Sequence, residues 1–205
     1  MEKITIAELS DQYFDVLKEI GNIGAGNATT ALSQMINSKV DMKVPVVDLL
    51  EFRDLSNVVG GAETIVVGIL LTLDGDIDGM MMFMLDEESA HRLVNMIVGD
   101  SAEKKEHGFS EMELSALNEI GNIIAGAYLS SLSALTNMRI SASVPYMSID
   151  MSGAILSVPA IEFGTLGDKI LLIQTQFADD VELDGYFILV PDMESYARIL
   201  KALGL

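Results

Sequence analysis

The chain has 205 residues, half of them hydrophobic, and carries 31 acidic against 12 basic side chains, a formal net charge of -19. Such a charge repels nucleic-acid phosphate and anionic membrane surfaces, which argues against both as partners. The lack of cysteine rules out disulfide frameworks and Cys-zinc sites and fits a reducing, cytoplasmic setting. The opening Met1-Glu2-Lys3-Ile4-Thr5 has neither the basic nor the apolar region of a secretory leader.

Helix signals come first. Thr5-Ile6-Ala7-Glu8 has the form of a capping box, and apolar residues then recur at helical spacing: Phe14, Leu17, Ile20, Ile23/Gly24, Ala28, Ala31/Leu32 and Met35. A long helix is predicted over residues 10–37, closed by Asn37 as a left-handed cap. Strands follow at 40–52, passing through Pro45, and at 64–73, where branched residues dominate. Asp78-Gly79 reads as the turn into a strand at 80–85, and 87–98 as an amphipathic helix ending before a glycine. Residues 100–108 (DSAEKKEHG) form a charged linker.

The second half repeats the first. Over residues 10–45 and 110–145, 14 of 36 positions are identical without a gap, among them the run Glu-Ile-Gly-Asn-Ile at 19–23 and 119–123. Ser110-Glu111-Met112-Glu113 is again a capping box, and a helix is predicted over 110–137 with Asn137 as its cap. The uncharged run 120–138 holds Asn122, Ser130, Ser131, Ser133, Thr136 and Asn137, too polar for a lipid-facing span. Strands are predicted at 139–149 through Pro145, at 169–177 and at 186–190 after Asp184-Gly185, then a helix at 193–203. Two copies of helix, strand, short irregular or helical piece, strand, strand, helix argue an α/β (α+β) sandwich with a pseudo-twofold axis. Its long helices should pack on an antiparallel sheet, in one domain spanning 1–205 with repeats of about 5–100 and 109–205.

Gly21, Gly24, Gly26, Gly121 and Gly126 lie inside the long helices, where each costs about 1 kcal/mol against alanine. Close packing of the two helices on each other or on the sheet is the expected compensation.

Asp15, Glu19 and Asn22 stand at i, i+4 and i+7, as do Ser115, Glu119 and Asn122, so each trio shares one helical stripe opposite the apolar one. A merely solvated face would explain one Glu and one Asn, but the same pair recurs in both halves. No His, Cys or Lys joins them to build a nucleophile–base pair or a metal cluster. An asparagine amide both donates and accepts, which suits holding a water for in-line attack on a phosphoryl group. The acid could pair with a partner's cation. Each stripe is therefore half an active site.

The pattern Asp/Ser-x3-Glu-x2-Asn-x22-Pro occurs as Asp15, Glu19, Asn22, Pro45 and as Ser115, Glu119, Asn122, Pro145. It resembles the signature of the CheC/CheX/FliY phosphatases of bacterial chemotaxis, and the likeness spans essentially the whole chain. Two motif copies favour the CheC type over the single-site CheX type, and the end of the sequence at Leu205 argues against the extended FliY type. The resemblance implies a CheC-like fold and a phosphatase acting on phosphorylated CheY, a response regulator that carries an aspartyl phosphate and Mg2+. No cofactor of the chain's own is implied. Glu19 and Glu119 would engage the regulator's lysine, Asn22 and Asn122 would position the attacking water, and Asp15, Ser115, Pro45 and Pro145 would support the motif. The resemblance also implies binding to CheD, a receptor deamidase, through residues 148–154 with Asp150 at the acidic position. The competing reading is a non-catalytic CheD-binding adaptor with weak or vestigial phosphatase activity. A structural part of the flagellar switch would need an appended assembly domain.

Other signals carry less. Gly21-x2-Gly24-x-Gly26 follows a helix rather than a strand, so it is no dinucleotide fingerprint. His91 and His107 join no metal-spaced cluster and should be exposed. Met80-Met81-Met82-Phe83-Met84 reads as a core strand. Asp179, Asp180, Glu182 and Asp184 read as a solvated hairpin loop without calcium-loop spacing.

Overall fold

The computed structural model describes residues 11–36, 41–98, 108–163, 169–178 and 182–204. The elements follow the order read from the repeat. The first half holds α1 (Asp11–Ile36), β1 (Asp41–Glu51), α2 (Phe52–Val58), β2 (Ile65–Gly75), β3 (Gly79–Asp86) and α3 (Glu87–Val98). The second holds α4 (Glu111–Thr136), β4 (Ile140–Ala142), β5 (Tyr146–Met151), α5 (Ser152–Phe163), β6 (Lys169–Ala178), β7 (Glu182–Pro191) and α6 (Met193–Ala202). No helix among the described residues is long and apolar enough to cross a membrane.

Local chemistry sets the ends of α4. The Ser110 hydroxyl accepts from the Glu113 amide at 3.3 Å, and a Glu113 carboxylate oxygen accepts from the Ser110 amide at 2.6 Å, closing the capping box. Asn137 ends the helix in the left-handed region, φ 55°. The Thr5–Glu8 box and the Asn37 cap lie outside the described residues, as does His107.

All seven strands form one sheet in the order β1-β6-β7-β3-β2, with β4 and β5 both pairing β2 at the far edge. The hairpins β2–β3 and β6–β7 are local, and β3 meets β7 at the centre. The outer strands are exchanged: β1 pairs with β6 of the second half, while β5 pairs with β2 of the first. The exchange respects the pseudo-twofold and ties the halves into one sheet.

The two faces differ. One is covered by α1, α3, α4 and α6, whose Ile20, Ala28, Leu32, Leu93, Leu117, Ile124 and Ile199 pack on Val67, Ile69, Phe83 and Phe187. The other is covered by α2 and α5, with Leu55, Ile155 and Leu156 over Val66, Met80, Met82, Met84 and Ile188. The methionine strand is core, as expected. Burial raises the Tyr186 phenol above its usual range, with help from the carboxylates of Asp184 and Asp86.

Four expectations need correction. The strand expected over 139–149 is broken into β4 and β5 by an irregular stretch at 143–145 that holds Pro145. Asp184-Gly185 lies within β7, not in a turn, and Asp184 accepts from the Gln174 amide at 3.3 Å. Glu182 likewise opens β7; Asp179 and Asp180 lie outside the described residues. His91 is half-buried rather than exposed, stacked on Phe109 at 4.0 Å with Nδ1 3.9 Å from a Glu113 carboxylate oxygen.

The glycines are the fourth case, because they separate into two kinds. A Cβ on Gly24 would lie 2.4 Å from the Tyr128 ring, and one on Gly121 would lie 2.5 Å from Ile69. Close packing explains these two. It does not explain Gly26 and Gly126, where a Cβ would meet nothing within 4 Å.

Candidate functional site

Why the motif residues face outward follows from the helical period. Ile20, Gly24, Ala28 and Leu32 of α1, and Leu117, Ile120, Ile124 and Tyr128 of α4, are buried. The opposite stripe therefore meets solvent, and Glu19, Asn22, Ser115, Glu119 and Asn122 are all exposed. Asp15 belongs to α1, but its side chain lies outside what is described. Within each pair Glu and Asn are three residues apart, so their Cβ atoms stand roughly 5–6 Å apart on one face. Among the described residues no hydrogen bond or ion pair engages the side chains of Glu19, Asn22, Glu119 or Asn122. Their polar atoms are free to meet a partner.

The helices that carry them are held rigidly. Tyr128 of α4 fills the space over Gly24 of α1 and stacks on Phe187 at 4.2 Å. Asn27 of α1 donates to the Ser131 hydroxyl of α4 at 3.1 Å, and that hydroxyl donates to the Ala127 carbonyl at 2.8 Å. A site mounted on packed helices keeps its geometry better than one mounted on loops.

The two motif prolines occupy equivalent irregularities. Pro45 sits where the β1–β6 register shifts between Lys43 and Val46. Pro145 sits in the break between β4 and β5, just after Ser143 has bonded Thr72 through its amide (2.9 Å) and hydroxyl (3.0 Å). Proline has no amide to give a ladder, so it belongs on edge strands and at bulges. No contact among the described residues brings Pro145 into the Glu–Asn stripe, and the Pro45 side chain lies outside what is described.

Among the described side chains, each copy offers one carboxylate and one amide, joined in the second by the Ser115 hydroxyl. That is too small a donor set to hold a metal alone, and none of these groups is a strong nucleophile. It can orient water and pair with a cation.

Asp150 lies elsewhere, on edge strand β5, exposed, with a carboxylate oxygen accepting from the Met151 amide at 2.7 Å. It borders an open groove of about 240 Å³ lined by Leu70, Tyr146, Ser148 and Val158 among others. Two apolar side chains of its lining are exposed, Tyr146 at 69% and Val158 at 43%; Val144, two residues before Tyr146, and Ile161, one turn beyond Val158 on α5, are also exposed. The family resemblance pointed to residues 148–154, with Asp150 as the acidic position. Among the described residues β5 pairs only β2, and nothing in its own residues marks it as an edge strand that leaves apolar side chains uncovered.

Known proteins resemble this chain in sequence and in fold. The profile of the CheC-like family matches residues 15–48, and that of chemotaxis phosphatase CheX matches residues 67–162. Each match contains one copy of the Glu–Asn motif. The chain is 36% identical over 200 residues to the CheY-P phosphatase CheC of Bacillus subtilis, covering 96% of both proteins. The chain belongs to the CheC family.

Solved structures place the CheC-family fold among related ones. FliY of Thermotoga maritima superposes with a TM-score of 0.75 at 20% identity, over 96% of this chain and 98% of that one. CheX in the CheX–CheY–BeF3–Mg2+ complex of Borrelia burgdorferi gives a TM-score of 0.53 at 17% identity, over 85% and 97%. The α/β fold with its antiparallel sheet, expected from the repeat, is the fold these proteins share.

Proposed function

We propose that this CheC-family chain is a phosphatase of CheY-P, completed at the moment of binding by its substrate protein. The single observation that carries the reading is the duplicated, exposed and unengaged Glu–Asn pair on two rigidly packed helices. When a motif helix lies against the regulator, the carboxylate of Glu19 or Glu119 pairs with a lysine beside the phosphorylated aspartate. The amide of Asn22 or Asn122 accepts from and donates to one water, holding it in line with the acyl–phosphate bond. The water oxygen bonds to phosphorus as the bond to the aspartyl oxygen breaks, leaving a free carboxylate and inorganic phosphate. The Mg2+ that stabilises the charge belongs to the regulator, and the chain supplies no cofactor. Two equivalent stripes give two active sites in a cytoplasmic protein.

The glutamates are tested by affinity. Neutralising both as Glu19→Gln and Glu119→Gln removes an ion pair from the docked state, so KM for CheY-P should rise by about tenfold, in line with 1–2 kcal/mol for a partly desolvated pair. The binding that remains should also depend less on salt. An unchanged KM with unchanged salt dependence would remove the glutamates from the mechanism.

A second partner, CheD, is proposed for the β5–α5 corner. The support is Asp150 beside a groove that exposed Tyr146 and Val158 also line, since exposed apolar surface around a charged group suits an interaction site. Ser152 anchors this corner, its amide bonding Thr64 at 2.8 Å and its hydroxyl Gly61 at 2.7 Å. Asp150→Lys should abolish complex formation with CheD in a titration; wild-type affinity would remove Asp150 from that interface.

A further inference from the structure

Gly26 and Gly126 occupy equivalent positions in the interiors of α1 and α4, and both are exposed. Glycine is the least favourable residue for a helix interior after proline. Among the described residues nothing requires it: a Cβ at either position would meet no atom of theirs within 4 Å, whereas Gly24 and Gly121 make way for Tyr128 and Ile69. The backbone is ordinary helix at both, with no positive φ to favour glycine. What keeps a side chain out of these positions is therefore to be sought in a partner.

The position says where. Gly26 follows Asn22 by four residues and Gly126 follows Asn122 by four, so each glycine lies one turn beyond the amide on the same face. On α1 the next polar side chain along this face is also turned away, since the Thr30 hydroxyl donates back to the Gly26 carbonyl at 2.9 Å. Beside each Glu–Asn pair the helix thus presents bare backbone.

We propose that Gly26 and Gly126 are positioning residues of the two phosphatase sites, at which backbone of the phosphorylated regulator lies directly against the helix. The inference rests on the function proposed above and adds to it a contact that sets how deeply the helix seats. A methyl group here would hold the two backbones apart by about the thickness of a Cβ. The asparagine's water would then stand off the phosphorus, and a misplacement of about 1 Å can cost up to 10²-fold in rate.

The test is the double variant Gly26→Ala/Gly126→Ala, read in three ways. Melting temperature should rise by about 2–4 °C for each glycine replaced, because helix propensity improves and nothing clashes. Affinity for CheY activated with BeF3 and Mg2+, measured by titration without hydrolysis, should fall by about tenfold or more. In steady state with CheY-P, kcat/KM should fall by about 10–10²-fold with KM raised. The larger pair Gly26→Gln/Gly126→Gln should deepen both losses. A raised melting temperature with wild-type affinity and kinetics would overturn the proposal, as would a lowered melting temperature, which would mean that the glycines serve the fold. Running Asn22→Ala/Asn122→Ala alongside separates the two readings. If that variant keeps its turnover, water positioning is wrong, while the titration of the glycine variants still decides whether the regulator's backbone lies against them.

Discussion

Asn22→Ala combined with Asn122→Ala will lower the turnover of CheY-P by at least about 10²-fold, the scale on which losing a pre-placed polar group acts in other active sites. The fold should not notice. Both side chains are exposed and make no hydrogen bond among the described residues, so stability should stay within about 0.5 kcal/mol of wild type. KM should change little, because an oriented water counts mainly in the transition state. The single variants should each keep a share of the activity if both stripes work. The measurement is steady-state phosphate release together with thermal unfolding on the same samples. Wild-type turnover in the double variant would end the water-positioning account, whatever the glutamates do.

Gly24→Ala will destabilise the protein, against the direction that helix propensity alone dictates. The new methyl would stand 2.4 Å from the Tyr128 Cδ1 and 2.9 Å from its Cγ, the root of the ring. That ring is only 2% exposed and is stacked on Phe187, so it has no easy way to withdraw. Overpacking of this kind costs about 1–3 kcal/mol, and the upper part of that range exceeds the propensity gain of about 1 kcal/mol. The net loss of about 1–2 kcal/mol should lower the melting temperature by about 2–8 °C. Tyr128→Leu in the same chain should recover part of the loss, and the cycle of four proteins measures the coupling. A rise in melting temperature for Gly24→Ala alone would show that the helices are not in the close contact described.

The difference between Gly24 and Gly26 also shows what could be read without coordinates. Two residues apart on a helix means about 200° of rotation, so these glycines point to opposite faces. The apolar period already placed Gly24 with Ile20 and Ala28. Reading all the helix glycines as one packing device concealed that Gly26 was out of phase. Strong local signals were decisive elsewhere: Ser110 with Glu113 began α4 and Asn137 closed it, and the hairpin strands β2–β3 and β6–β7 followed from their apolar runs. The exchange of β1 and β5 between halves was not legible, because similar strands in similar repeats carry no mark of which copy they will join. For the same reason His91 could not be seen beneath Phe109, which reaches it from beyond the linker.

The site divides along the same line. Exposure of Glu19, Asn22, Glu119 and Asn122 was legible from period alone. The groove beside Asp150 was not, since it needs β5 at a sheet edge and α5 folded beneath it.

The most direct measurement of the central claim is inorganic phosphate release from CheY labelled with acetyl phosphate, followed with and without a substoichiometric amount of this chain. The account predicts that release is accelerated through many turnovers per molecule. Release at the regulator's own rate, by a chain that still binds CheD, would contradict it and leave the adaptor reading in its place.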